Sequence, residues 1–168
     1  MIAPAHVRER ALSAFDPNDP SNRDRIAMLK AGVAMVADHP VFGVGVNMVP
    51  QVYLKYRTAD AVDSAEATEP ETRSHLHNVP MQLAAERGLP ALAAWLWFVI
   101  AAGRDLLGRV RRGIARPAAA AGLAALVAMV TAGLFEHNFG DSEFLVLFLT
   151  LVSLPYAATA SDTEAPRA

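Results

Sequence analysis

The chain has 168 residues, of which 53% are hydrophobic and 19% charged, with a net charge of −2 and no cysteine. That is about one domain of sequence, too apolar to be disordered throughout and without the basic footprint of a nucleic-acid binder. The missing thiols exclude disulfide scaffolds, thiolate zinc sites, iron–sulfur clusters and a cysteine nucleophile.

Residues 1–16 lack the apolar core of a signal peptide. Asp16-Pro17-Asn18-Asp19-Pro20-Ser21 is a cluster of turn residues. Behind it, Arg25 to Ala37 reads as an amphipathic helix with Ile26, Leu29, Val33 and Val36 along one face, capped by Ser21 or Asn22. His39-Pro40 stops it, because the residue before a proline is pushed out of helical geometry. Val41 to Asn47 reads as a tight turn; its Gly43-Val44-Gly45 lacks the strand–helix frame and third glycine of a dinucleotide loop. A short aromatic segment follows at 52–56, then an exposed acidic loop over 58–74.

From Asn78 the character changes. Asn78 caps a helix that tolerates Pro80 in its first turn. The helix bends near Gly88 and Pro90, runs through the uncharged stretch 89–103 and ends before Arg104. Ala118–Phe135 is an uncharged run of 18 residues, and Phe144–Ala160, which contains Pro155, one of 17. All three are apolar all round and near the length of about 20 residues that crosses a bilayer. The expected class is therefore an all-α integral membrane protein. A helical periplasmic segment occupies 1–77, transmembrane helices cover about 78–103, 118–135 and 144–160 within 78–160, and a polar tail closes at 161–168. Small residues four apart in 118–125 suit close helix packing.

Loop charges orient the spans. Residues 104–117 hold Arg104, Arg109, Arg111, Arg112 and Arg116, whereas 136–143 hold Glu136, Asp141 and Glu143 and no Lys or Arg. Arginine in short loops marks the cytoplasmic side, so 1–77 and 136–143 are expected outside. A polar stretch of 77 residues does not readily cross a membrane without a signal in front of it. The chain is accordingly expected to be the C-terminal part of a larger multispanning protein.

Chemistry concentrates at Ser74-His75-Leu76-His77-Asn78, where the polar loop becomes a helix. A histidine at a helix N-terminus feels the positive end of the dipole, which favours the neutral imidazole that a general base needs. The free N–H groups there also suit a phosphate. The other reading of His77 is an interfacial histidine with a local capping role. His75 and His77 point to opposite sides if extended, and no carboxylate at ligand spacing completes a set, so no metal site is expected. Arg23 and Arg25 read either as guanidinium clamps for an anionic head group or as a solvated helix face, and Arg57 and Arg73 carry the same two readings. Glu136 to Asp141 either lines an outer site or forms caps and turns through Asn138, Gly140 and Asp141.

Three stretches carry a family resemblance. They are Arg25-Ile26-Ala27-Met28-Leu29 leading into Asp38-His39-Pro40-Val41-Phe42-Gly43-Val44-Gly45; His75-Leu76-His77-Asn78 followed by Gln82-Leu83-Ala84-Ala85-Glu86-Arg87-Gly88-Leu89; and Leu134-Phe135-Glu136-His137-Asn138-Phe139-Gly140-Asp141-Ser142-Glu143. In this order, from about Ser21 to Tyr156, they resemble the C-terminal portion of the O-antigen ligase family of bacterial envelope glycosyltransferases, which also holds polysaccharide polymerases. The family's histidine motif, His-Asn, nine residues, then Gly-x-x-Gly, reads here as His77-Asn78, nine residues, Gly88-Leu89-Pro90-Ala91. Alanine replaces the last glycine, a change that alters helix packing rather than chemistry.

The resemblance implies transfer of a glycan from an undecaprenyl-pyrophosphate carrier to an acceptor such as lipid A-core, at the periplasmic face of the bacterial inner membrane. It implies no nucleotide, metal or other cofactor. By the same analogy His77 is the base toward the acceptor hydroxyl. Arg25 best matches the pyrophosphate-binding position, Arg23, Arg57 and Arg73 are further candidates, and His75 and Asn78 are substrate contacts beside the base. Family members have many more spans upstream, so residues 1–168 alone are expected to be inactive. The alternatives are a polymerase of the same superfamily and a non-catalytic membrane scaffold.

Overall fold

The computed structural model describes residues 20–57 and 75–164. Among them every regular element is helical: α1 (Pro20–Asp38), α2 (Val49–Tyr56), α3 (Val79–Arg112), α4 (Arg116–Gly133), a 3-10 turn at Asn138–Gly140, and α5 (Ser142–Glu164). The described residues fall into two compact units, one of 20–57, 75–77 and 81–89 and the other of 78–80 and 90–164. The acidic loop expected over 58–74, with Arg73 in it, lies outside the described residues.

In the first unit α1 starts at Pro20, whose missing N–H costs nothing at a helix start. Ser21 and Asn22 thus lie inside the first turn rather than capping it. The helix ends at Asp38, one residue before the His39-Pro40 stop. Its buried face differs from the expected one. Ala27, Met28, Ala31 and Met35 are buried, while Ile26, Leu29 and Val33 are 43–54% exposed. Close approach decides this. A Cβ on Gly32 would lie 2.8 Å from Met81 Sδ and 2.9 Å from Leu76 Cδ1, so the small-residue side of α1 admits neighbours that the bulkier stripe would hold off. Met28 and Met35 fill the remaining gaps with Val49 and Tyr53 of α2 and with Leu76 and Ala85. Tyr56 Oη donates to Asp38 Oδ2 at 3.0 Å, joining the last residues of α2 and α1. Burial, then that hydrogen bond and the Asp38 charge, push the phenol above its usual range.

α3 is broken at Gly88, whose φ of 82° and ψ of 174° separate it into the helical segments 79–87 and 89–112. The expected bend is thus an interruption. Its cause is local. In an unbroken helix the Ala85 and Glu86 carbonyls would accept from residues 89 and 90, but Pro90 has no N–H and Leu89 gives its own to Pro40 O at 2.8 Å. The loop 40–47 supplies the missing donors: Val44 N–H to Ala85 O at 2.8 Å and Gly45 N–H to Glu86 O at 3.1 Å. Backbone meets backbone here, and a Cβ on Gly43 would collide with the Glu86 carbonyl, one on Gly88 with the Val41 carbonyl. Both glycines also have positive φ.

In the second unit Pro90 stands in the first turn of 89–112, where it is tolerated. The helix does not end before Arg104 but runs to Arg112. Charge does not stop it, since Arg109 Nε pairs with Asp105 Oδ2 one turn back at 2.8 Å. Gly113 stops it: with φ 74° it lets Ile114 N–H reach Arg109 O and its own N–H reach Val110 O, a Schellman closure. Ala119, Gly122, Leu126, Met129 and Gly133 form the buried stripe of α4, at the three-and-four spacing of a packing seam. Pro155 inside α5 withholds the N–H that Leu151 O would otherwise accept, and a Cβ on Gly122 would lie 2.9 Å from that oxygen. Glycine lets α4 close on α5 there. Tyr156 Oη donates to Asp105 Oδ2 at 2.6 Å while the Arg109 guanidinium sits 4.1 Å from the Tyr156 ring, which ties α5 to α3.

α3, α4 and α5 are each long and apolar enough to cross a membrane, and Trp97, Ile100, Val146 and Leu147 are more than half exposed. The chain is an all-α integral membrane protein.

Gly43→Ala combines positive φ with a backbone collision and is expected to cost about 3 kcal/mol or more. Gly113→Ala has the same φ problem with open space around it and should cost only about 1 kcal/mol. Thermal unfolding of the detergent-purified full-length variants checks the ranking; equal losses would contradict the docking account.

Candidate functional site

α3 begins at Val79, which puts Asn78 at the capping position and His77 immediately before it. His77 has φ 49°, a left-handed conformation that histidine adopts more readily than most side chains. The segment is therefore not extended, and the expectation that His75 and His77 face opposite ways does not hold. Their rings pack edge to face with centroids 5.3 Å apart. Both residues are half-buried.

Leu76 lies between them and is the anchor. Its side chain is buried in the core with Met35 and Ala85, and its N–H donates to Gln82 Oε1 at 2.8 Å. Gln82 Nε2 donates in turn to Glu86 Oε1 at 2.8 Å. Glu86 Oε1 also accepts from Asn47 N–H at 3.0 Å, and Glu86 Oε2 is 3.6 Å from Arg87 Nη1. One hydrogen-bonded chain thus runs from the backbone beside His77, through one turn of α3, to the loop 40–47. Gln82 and Glu86 are only 2% and 4% exposed. Burial of such groups is tolerable when they are paired in this way.

Asn78 is tied from its other end. Its Nδ2 donates to Leu134 O at 3.0 Å, just past the C-terminus of α4. Val79 is buried, and a Cβ on Gly133 would lie 3.1 Å from it.

Arg23 and Arg25 are exposed on the first turns of α1. Arg57 is half-buried at the end of α2, where the backbone leaves helical geometry with ψ 131°. Arg73 lies outside the described residues. The structure thus joins His75 and His77 directly, and leaves Arg23 and Arg25 as solvent-facing cations of the same unit. Among the described residues no group of three or more metal-ligating side chains converges.

The stretch 136–143 forms caps and turns. Asp141 Oδ1 accepts from Glu143 N–H at 3.2 Å and so caps α5. Asp141 N–H closes the turn on Asn138 O at 3.2 Å. Phe139 packs edge to face on Trp95 at 6.5 Å, and the His137 ring lies over Gly140, where a Cβ would be 2.8 Å from Nε2.

Gln82, Glu86 and Asn47 belong to the site although nothing in the sequence gives them a role; the first two stand within the second family-like stretch. A signal exists nonetheless: Gln82 and Glu86 are one helical turn apart, with only Ala84 and Ala85 as equally buried neighbours between them. Two polar residues on the core side of a helix imply partners outside that helix.

The left-handed backbone at residue 77 predicts which substitutions keep the fold. His77→Asn, which also tolerates positive φ, should leave the thermal midpoint within about 2 °C of the parent, a change well under 1 kcal/mol. His77→Val, β-branched and strained there, should cost about 1–2 kcal/mol. Equal midpoints for the two would mean that residue 77 is not held left-handed.

Searches of curated proteins and of solved structures found no match. The family model described as O-antigen ligase matches residues 4–96, a span that holds α1, α2, the loop 40–47, the two histidines and the Gln82–Glu86 turn, and stops short of 134–143. That is more than half of the 168 residues, and the chain belongs to the O-antigen ligase family.

Proposed function

We propose that the protein is a lipid-linked oligosaccharide glycosyltransferase, which moves a glycan from undecaprenyl pyrophosphate to an acceptor sugar such as lipid A-core on the periplasmic side of the inner membrane. The observation that carries this reading is a half-buried, edge-to-face histidine pair just ahead of the helical segment 79–87, inside the part of the chain matched by the O-antigen ligase family. The arginine-rich stretch 104–117 against the acidic 136–143 supports the orientation, with 1–77 and 136–143 outside. On this reading the described residues supply the C-terminal spans and the outer segment of a multi-pass enzyme.

The chemistry needs three things of the protein. An acceptor hydroxyl must lose its proton as its oxygen attacks the anomeric carbon; His77 takes that proton on an imidazole nitrogen. The bond between that carbon and the pyrophosphate oxygen must break with its electron pair going to the phosphate. Charge that develops there is met by fixed guanidinium groups, which bind phosphate oxygens in pairs. Arg25 and Arg23 are the solvent-facing candidates, with Arg57 at the end of α2; Arg73 is a further candidate by sequence alone. His75, packed on His77, and Asn78 line the approach to the base. Undecaprenyl pyrophosphate leaves, and the proton held by His77 passes to solvent. No nucleotide enters the balance.

The test is the full-length protein in cells, with and without His77→Asn, the substitution that keeps the left-handed backbone. Loss of a general base costs about 10²–10⁴-fold in rate. The lipopolysaccharide ladder should vanish while long carrier-linked polymer accumulates. Lipid A-core that keeps single units and loses long chains would instead assign polymerisation. An unchanged ladder with the variant present in the membrane would reject His77 as the base.

A further inference from the structure

We propose that Gln82 and Glu86 are positioning residues: a buried, directional relay that fixes the backbone at Leu76 and thereby the placement of His77. This inference rests on the reading of His77 as the base.

Among the described residues these two are the buried polar side chains, and both reach beyond their own helix backbone. Their partners are the N–H groups of Leu76 and Asn47, one beside the histidine and one in the loop that closes the C-terminal end of 79–87. The relay has a direction because an amide has two unlike ends. A carboxylate accepts and does not donate, so Glu86 compels the Gln82 NH2 to face it. The Gln82 oxygen is then aimed at Leu76 N–H. Were the amide reversed, oxygen would meet carboxylate and NH2 would meet N–H, two repulsions in a buried site. Glu86 therefore dictates which end of Gln82 Leu76 meets, and a fixed Leu76 holds the turn that presents His77. Placement matters because a base displaced by about 1 Å loses on the order of 10²-fold in rate.

The relay predicts a charge-exchange rescue. Gln82→Glu sets two carboxylates against each other and should lower kcat about 10- to 100-fold with the donor KM within about twofold. It should also speed deuterium exchange in the peptide covering 75–80 about tenfold or more, with the 90–103 peptide unchanged. Adding Glu86→Gln restores one carboxylate and one amide in reverse order. The amide now at position 86 donates to the carboxylate now at position 82, which still accepts from Leu76 N–H; Asn47 N–H, which shares Glu86 Oε1 with Gln82 in the parent, loses that acceptor, so the rescue is read at 75–80. The double variant should recover both exchange protection and kcat to within about threefold of the parent. If Gln82→Glu does not accumulate in the membrane, Gln82→Met takes its place for the exchange and kcat readings, and the double variant is compared with the parent directly.

Unchanged exchange at 75–80 in the single variant, or a double variant that recovers neither reading, would overturn the relay. A rise in donor KM with kcat intact would overturn it too, since that pattern belongs to a binding residue. Full transfer by His77→Asn rejects the base reading instead, and the exchange arm, which needs no turnover, still decides whether the relay exists.

Discussion

The first of the two units depends on one helix end that cannot close itself. Pro90 brings no N–H to the carbonyl of Glu86, and Leu89 turns its own toward Pro40, so the last turn of 79–87 has carbonyls without helical partners. The loop 40–47 answers with the N–H groups of Val44 and Gly45. Because the donors are backbone, the two chain segments must approach to within a glycine's width, and Gly43 and Gly88 provide it. Once that contact forms, Asn47 is delivered to Glu86 and Ala85 is buried with Leu76 and Met35. Two stretches separated by about forty residues become one body.

On the proposed reading of His77 as a base, that body is what fixes its position. An imidazole in a free loop samples many positions, and little of its basicity would be spent on any one acceptor. Here the residue before it is held by a buried side chain and a hydrogen bond to Gln82, the residue after it by a hydrogen bond to Leu134 O, and its own backbone is left-handed. Each constraint is modest, about 1 kcal/mol net for a hydrogen bond, yet together they leave His77 few conformations. The membrane-length helices contribute differently. Gly122 brings α4 close to Leu151 and Val152 of α5, as small residues do where lipid gives no hydrophobic drive toward association.

Much of this is legible in the residues alone. Three uncharged runs announce three membrane-length helices, and the histidine motif with its following glycine announces the family. The departures share a cause: residue character suggests one outcome and geometry decides another. Arg104 looks like a helix end, but an arginine pairs comfortably with an aspartate one turn back, as Arg109 does with Asp105, and the stop is Gly113. The bulky stripe Ile26, Leu29 and Val33 looks like the buried face of α1, but Gly32 and Ala31 set how near Met81 and Leu76 can come. Gln82 and Glu86 stand in the second family-like stretch, but their burial is not legible there because polar residues on a helix are usually solvated. The pairing of His75 with His77 depends on one positive φ, which no periodicity encodes.

The most direct measurement is a cryo-electron microscopy map of the full-length protein, in its membrane mimic, with carrier-linked glycan bound. The account predicts that Gly43 lies against the Glu86 carbonyl, that Gln82 bridges Leu76 N–H and Glu86, and that a His77 ring nitrogen lies within hydrogen-bond reach of the space an acceptor hydroxyl takes beside the anomeric carbon, with Arg25 on the pyrophosphate. A glycan whose anomeric carbon sits far from His77, or a chain in which the loop 40–47 has left the end of 79–87 while the donor is bound, would contradict it.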